Sequence, residues 1–346
     1  MAPCSHPSWL HVSNVQEPAI HDEGRFTRLL DDLNDARTQQ PSLLLFVGQQ
    51  AKTTALRELF PYNTFKKKRK NDGLDLRLDN TTIASNYPIF IADGDPRLPA
   101  LSTLSNWSCH ESRSYRLQWE CPSRHNISDF LYARVLFLFT DVICLFADDF
   151  SCLEDVIDLL KSWAIAGSAS NLPYLIRPKI VIVATGDEAS VTFNVLQAQD
   201  FKFGLNQQDL INFFSSIIVL YLTEAPISSL ARHRRLKEVL LRHADEMRQL
   251  RQQLRLLYSA VHLNYFLQEA VKHVALSSKT TFNFILTSRL SNSIDNKYIQ
   301  HLFIFVRLTN KHGFSLEKQA SLMASGMLMD AYPPGMHSKL SLSRPN

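Results

Sequence analysis

The sequence predicts an α/β protein: a mostly parallel sheet with helices on both faces, followed by a helical domain. Short apolar runs recur at Leu43–Val47, Val142–Phe146, Lys179–Ala184 and Ile217–Leu222, and helical patterns separate them. Strands alternating with helices in this way require a parallel sheet covered on both sides. The first of these runs breaks at Gly48 and passes directly into the helical pattern Ala55-Leu56-Arg57-Glu58-Leu59-Phe60. From about Ser228 the alternation stops, and leucines recur at helical spacing through a stretch rich in Arg and Gln.

Residues 22–37 read as an amphipathic helix, with Phe26, Leu29, Leu30 and Leu33 at helical spacing. The strand at 43–47 is apolar on both faces, which places it centrally in a sheet of about six strands. Leu74, Leu76 and Leu78 alternate with Asp75 and Arg77 as in a half-exposed strand, and the turn Asp79-Asn80-Thr81-Thr82 follows. The next strand, Pro88 to Ala92, ends in Asp93-Gly94-Asp95-Pro96. Together the 74–92 pair supplies one antiparallel edge. Residues 97–127 have no clear period, 129–139 read as a helix, and 142–146 as a fully buried strand. Ser151-Cys152-Leu153-Glu154 has the spacing of a capping box, opening a helix that runs to about Ala166 and stops near Gly167. A strand at 179–184, a helix near 207–214 and a strand at 217–222 complete the sheet. Residues 229–275 continue as a long helical pattern, and 280–331 read as helices around Phe282–Phe284, Leu302–Phe305 and Ala320–Met329. The organisation expected is therefore an N-terminal extension with a helix (1–40), an α/β domain (41–225), a helical domain (226–337) that starts at Ala225-Pro226, and a tail (338–346).

Composition fits a globular chain. Of its 346 residues, 45% are hydrophobic and only 10 are glycine, which is ample for a core and unlike a linker. A net charge of +4 is too small to imply a general affinity for nucleic acid or membranes. No apolar run reaches the ~18 residues of a spanning helix, since Val135–Phe146 is interrupted by Thr140-Asp141. The start, Met1-Ala2-Pro3-Cys4-Ser5-His6, lacks the charged and apolar regions of a secretory signal. Five cysteines without paired spacing suit a reducing compartment, and a cytoplasmic location is expected.

The chemistry centres on Gly48-Gln49-Gln50-Ala51-Lys52-Thr53. A strand, a glycine, a Lys-Thr pair and a helix follow the order of a phosphate-binding loop, in which backbone N–H groups and a helix N-terminus face an anion. Counting back from Lys52, the consensus G-x-x-x-x-G-K-[ST] puts its first glycine on Phe46 and its second on Ala51, so the loop is eroded. The acid at the end of the third strand, Asp93, and the motif Thr185-Gly186-Asp187-Glu188 after the fifth complete the set.

In this order the motifs resemble a small-GTPase-like fold over about 40–225. That resemblance implies that Asp93 stands where a D-x-x-G motif contacts the Mg²⁺ shell, although Asp93-Gly94-Asp95-Pro96 lacks the final glycine. It further implies that Thr185 and Asp187 stand where a [NT]-K-x-D motif reads guanine, with the Lys absent and Glu188 at its last position. If a nucleotide such as GTP or ATP binds with Mg, backbone amides from Gly48 to Thr53 would cradle its phosphates. Lys52 would neutralise charge, and Thr53 and Asp93 would serve the metal. A second segment, Ala324-Ser325-Gly326-Met327-Leu328-Met329-Asp330-Ala331-Tyr332-Pro333-Pro334-Gly335-Met336-His337, resembles one in large fungal proteins that carry a patatin-like phospholipase domain. In those proteins the region lies outside the acyl-hydrolase domain. Patatin-type catalysis needs a G-x-S-x-G elbow, and this sequence has none.

Three other constellations read more plainly as structure. Cys109, His110, Cys121 and His125 are zinc-type ligands, but their spacing matches no common finger and zinc is not expected. Lys66-Lys67-Lys68-Arg69-Lys70 is expected to be a solvated loop, and the Arg-rich stretch 232–255 a surface face of a helix. The function expected is a non-catalytic or weakly nucleotide-binding regulatory module related to fungal patatin-like proteins, working through a protein partner or a patatin-like domain. The alternatives are a P-loop NTPase, a fragment of a lipid acyl hydrolase without its catalytic domain, and an interaction module built on the helical half.

Overall fold

The computed structural model describes residues 6–13, 17–65, 73–97, 112–119, 124–167, 172–185, 193–194, 210, 213–222, 228–291 and 298–330. Among these residues the chain is α/β, built on one large mixed sheet of ten strands. In chain order they are β1 (Ser8–Ser13), β2 (Ala19–Asp22), β3 (Ser42–Val47), β4 (Leu74–Leu78), β5 (Ile89–Gly94), β6 (Arg113–Arg116), β7 (Val142–Phe146), β8 (Lys179–Thr185), β9 (Phe193–Asn194) and β10 (Ser216–Leu222). Across the sheet they run β6-β2-β1-β4-β5-β3-β7-β8-β10-β9. Neighbours within β5-β3-β7-β8-β10 are parallel. The strands on the β4 side and β9 on the other are joined antiparallel.

β3 lies mid-sheet with all six residues buried, as its two-sided apolar character requires. The expectation for β4 is corrected. It is neither half-exposed nor an edge, because β1, β2 and β6 extend the sheet beyond it and all five of its residues are buried. Its polar positions tolerate this because they pair: Arg77 Nη2 lies 3.0 Å from Asp75 Oδ2 and Arg77 Nη1 lies 3.5 Å from Asp93 Oδ2.

The helices are α1 (Arg25–Leu30), α2 (Gln50–Leu59), α3 (Arg124–Phe130), α4 (Phe137–Phe139), α5 (Leu153–Ala166), α6 (Ser229–Gln253), α7 (Ala260–Leu276), α8 (Phe284–Ser291), α9 (Tyr298–Lys311) and α10 (Leu316–Asp330), with a π-helical stretch, Leu131–Leu136, joining α3 to α4. Three readings change here. The helix expected over 22–37 is only the six residues of α1, because Ala19–Asp22 pair as a strand and Gly24 takes a left-handed conformation at the cap. The capping box does not form. α5 starts one residue late, with Cys152 as its extended N-cap, so Ser151 lies outside and Glu154 falls one position early. The long pattern 229–275 is two helices, divided where Arg255 adopts a φ of 56° and Leu256 N–H returns to Arg251 O at 2.8 Å.

Helices cover both faces of the sheet. On one, Leu236, Val239, Leu240 and Ala244 of α6 join Ala55, Leu56 and Leu59 of α2 over Leu44, Phe46, Cys144, Val181, Ile218 and Leu220. On the other, Phe26 of α1 stacks on Phe90 at 4.7 Å, and Tyr132 stacks on Trp163 of α5 at 5.2 Å. α6 is pinned at both ends of its run. Lys237 Nζ donates to Leu59 O at 2.7 Å, and Arg251 Nε lies 3.0 Å from Asp141 Oδ1. This packing places α6 and α7 with the sheet in one compact unit, Met1–Phe282, rather than in a separate domain starting at 226. The second unit, Asn283–Asn346, holds α8, α9 and α10. Within it Ser288, Thr309 and Gln319 are buried, whereas Ile299, Phe303, Ile304 and Leu316 are exposed.

Candidate functional site

The loop after β3 is two residues long: Val47 ends the strand and Gln50 opens α2, leaving Gly48 and Gln49. Gly48 has a φ of 145°, and a Cβ there would lie 2.5 Å from Asp149 Oδ2 and 3.2 Å from Lys52 Cβ. Glycine is therefore required by conformation and by space alike. β5 and β7 lie on opposite sides of β3, so chain order reverses here, the position at which α/β sheets place ligands outside the carboxyl ends of their strands.

That position is filled from within the chain. The segment Ala147–Asp149 follows β7 directly and brings the Asp149 carboxylate to the start of α2. Gln49 N–H donates to Asp149 Oδ2 at 2.6 Å, Ala51 N–H to Oδ1 at 2.8 Å and Lys52 N–H to Oδ2 at 3.0 Å. These are the unsatisfied donors of a first helical turn, and the helix dipole favours a negative group beside them. Arg97 secures the arrangement. Its Nη1 donates to Asp149 O at 2.9 Å, its guanidinium lies 3.7 Å over the Phe150 ring, and Nε and Nη2 grip Asp95 at 2.8 Å each. Asp95 in turn accepts from Gln49 Nε2 at 2.9 Å. Burial pushes the Asp95 carboxyl up, but the Arg97 guanidinium and Gln49 outweigh it and hold the group below the usual range.

Lys52 faces inward. It is 1% exposed, its Nζ lies 2.5 Å from Asp93 Oδ1, and it donates to Gly94 O at 3.1 Å. The Asp93 carboxylate also meets Arg77, which pairs with Asp75, so four charges of alternating sign run through the interior. Thr53 Oγ1 donates to Gln49 O at 2.6 Å, a bond back to the residue that caps its own helix. Gly94 packs beneath Tyr132, where a Cβ would come within 2.3 Å of the phenol oxygen. Burial, then the carboxylates of Asp95 and Asp93, hold the Tyr132 hydroxyl in its protonated form.

The fold thus brings together Gly48, Gln49, Ala51, Lys52 and Asp93; Gln50 and Thr53 belong to the same first turn of α2. Thr185 sits at the end of β8, two strands from β3, where its N–H donates to Asp148 Oδ1 at 3.2 Å and its hydroxyl to Asp148 Oδ2. Asp187 lies outside the described residues. As arranged, the donors do not fit a nucleotide phosphate with its metal: the amides hold Asp149, the ammonium holds Asp93 and the Thr53 hydroxyl is turned to the backbone. The sequence reading misses Asp149, Arg97 and Asp95. Their signal is positional, since two acids follow β7 at the same end of the sheet as Gly48.

The other constellations resolve in part. Lys66–Lys70, Cys109, His110 and Cys121 lie outside the described residues, as does the side chain of His125. Among the described residues no group of three or more His, Cys, Asp or Glu is arranged to hold a metal ion, and no helix is long and apolar enough to cross a membrane. The Arg-rich face of α6 is largely paired within the chain. Arg234 meets Glu238 at 3.2 Å, Arg248 meets Asp245 at 3.0 Å, and His233 and Arg251 point inward rather than to the surface. Of the patatin-related segment, Ala324–Asp330 lies in α10 and the rest lies outside the described residues. No family model matches the chain, and no curated protein matches it.

Proposed function

We propose that this chain is a regulatory or interaction module on a degenerate P-loop, GTPase-like scaffold, binding nucleotide weakly or not at all and performing no catalysis. The strand order β4-β5-β3-β7-β8-β10, in which only β4 is reversed, supports the scaffold. The observation that carries the functional reading is Lys52. A phosphate-loop lysine acts as a point charge toward the ligand, whereas this one is buried against Asp93 and Gly94 O. It serves as a structural cation. The relationship to the non-hydrolase region of fungal patatin-like proteins rests on Ala324–His337, and a protein partner or a patatin-like domain is the occupant that this relationship suggests.

Calorimetry with Mg-GTP and Mg-ATP tests the reading. The expected result is no binding tighter than the millimolar range. A micromolar affinity abolished by Lys52→Ala would replace this reading with an active NTPase. Ester hydrolysis is likewise expected to be absent, because the sequence has no nucleophile elbow. Turnover with labelling of one serine by an active-site probe would establish an acyl hydrolase instead.

A further inference from the structure

We propose that Asp149 is an autoinhibitory group: a carboxylate of the chain itself that occupies the anion position at the start of α2, keeps free oxyanions out and holds the loop in one conformation. The inference rests on the scaffold reading above and extends it from weak binding to the cause of that weakness.

Two independent features of the geometry support it. First, one carboxylate takes all three amides, from Gln49, Ala51 and Lys52, at 2.6–3.0 Å, using both of its oxygens. An incoming oxyanion needs the same donors and would meet the negative charge already there. Second, the arrangement is braced from outside the helix. Arg97 holds the Asp149 carbonyl while gripping Asp95, and Asp95 holds the Gln49 side chain, closing a ring of contacts around the loop. The backbone has adapted to this occupant. The Oδ2 atom lies 2.5 Å from where a side chain at position 48 would begin, too close for any Cβ, and position 48 is glycine. Asp149 therefore does locally what a bound anion does elsewhere.

Removing the carboxylate while leaving its space vacant should convert the contact into a binding site. In Asp149→Gly, inorganic phosphate or acetate, added at tens of millimolar with chloride at matched ionic strength as the control, is expected to raise the melting temperature saturably and recover at least half of the loss. Wild type should not respond to either anion. Asp149→Asn fills the same space without the charge, so it should lose stability and show no recovery. The proposal is overturned if neither anion restores Asp149→Gly, or if phosphate raises the wild-type melting temperature by as much. Should Asp149→Gly fail to fold, hydrogen exchange on Asp149→Asn decides. Amides of Gln49, Ala51 and Lys52 are expected to exchange about tenfold faster or more, the equivalent of one lost charge-assisted bond, and unchanged rates would overturn the proposal. These experiments contain no nucleotide, so their failure is separable from Mg-GTP binding by wild type, which would instead defeat the scaffold's reading as a non-binding module.

Discussion

Replacing Lys52 by methionine keeps the length and apolar stem of the side chain and deletes only the ammonium. Among the described residues, Asp93, 4% exposed, would then keep Arg77 at 3.5 Å as a counter-charge. Breaking a buried ion pair from one side costs about 3–5 kcal/mol because the other charge is left uncompensated. The Arg77 contact puts the expected loss near the lower end, about 3 kcal/mol. For a compact unit of this size each kcal/mol lowers the midpoint by about 2–4 °C, so Lys52→Met should melt about 6–12 °C below wild type. Tryptophan fluorescence reports the transition directly, since Trp9 and Trp163 are both buried in the same unit. A second substitution, Asp93→Asn, removes the stranded charge and should recover a substantial part of the loss in the double variant. If Lys52→Met melts within a degree or two of wild type, the ammonium is not part of the interior charge network. The residue would then be available to a ligand, contrary to the function proposed.

Two further outcomes follow from buried charges away from the loop. His11 stacks on His21 at 4.7 Å, and burial, then the neighbouring imidazole, lowers its pKa to about 4. That group's contribution is present above its unfolded value of 6.5 and is lost as pH falls toward 4, up to a ceiling of about 3 kcal/mol. Asp22 behaves oppositely: burial raises it to about 6, so its contribution is present below 3.8 and lost as pH rises through 6. Between pH 4 and 6 the two slopes offset, and Asp22→Asn should expose the His11 dependence as a urea midpoint that falls steadily on acidification; a flat profile in that variant would remove His11 from the account. Arg251→Met strands the buried Asp141 carboxyl, which burial already pushes up, leaving Leu43 N–H at 3.1 Å among its partners. A loss of about 3 kcal/mol is expected by urea denaturation, and a change below 1 kcal/mol would show that the Arg251–Asp141 pair does not help to hold α6.

The parallel core was legible because Leu43–Val47, Val142–Phe146, Ile180–Val183 and Ile217–Leu220 are buried on both faces, and such stretches must be apolar throughout. The antiparallel side was not. β1 carries Ser8, His11 and Ser13, and β2 carries His21 and Asp22; these strands are buried through partnerships such as Ser13 Oγ to His21 Nε2 at 2.6 Å, which no hydropathy period records. β6 is exposed except at the half-buried Tyr115 and lies in a stretch without any period. At the site, the loop and Asp93 were visible as motif remnants. The direction of Lys52 was not, since an inward or outward lysine has the same sequence. Asp149 lies 97 residues from Lys52 in the chain, and only the adjacency of β3 and β7 brings it there.

The position of α6 has a consequence for biosynthesis. One face of the sheet, with Leu44, Phe46, Cys144, Val181, Ile218 and Leu220, is closed by Leu236, Val239, Leu240 and Ala244, which leave the ribosome only after every strand has been made. A nascent chain that has completed β10 still presents that apolar surface to its surroundings, the situation in which chaperones intercept partly folded chains. Messages truncated between Leu222 and Ser229 should therefore yield aggregates rather than a smaller soluble domain, even though the entire sheet is encoded.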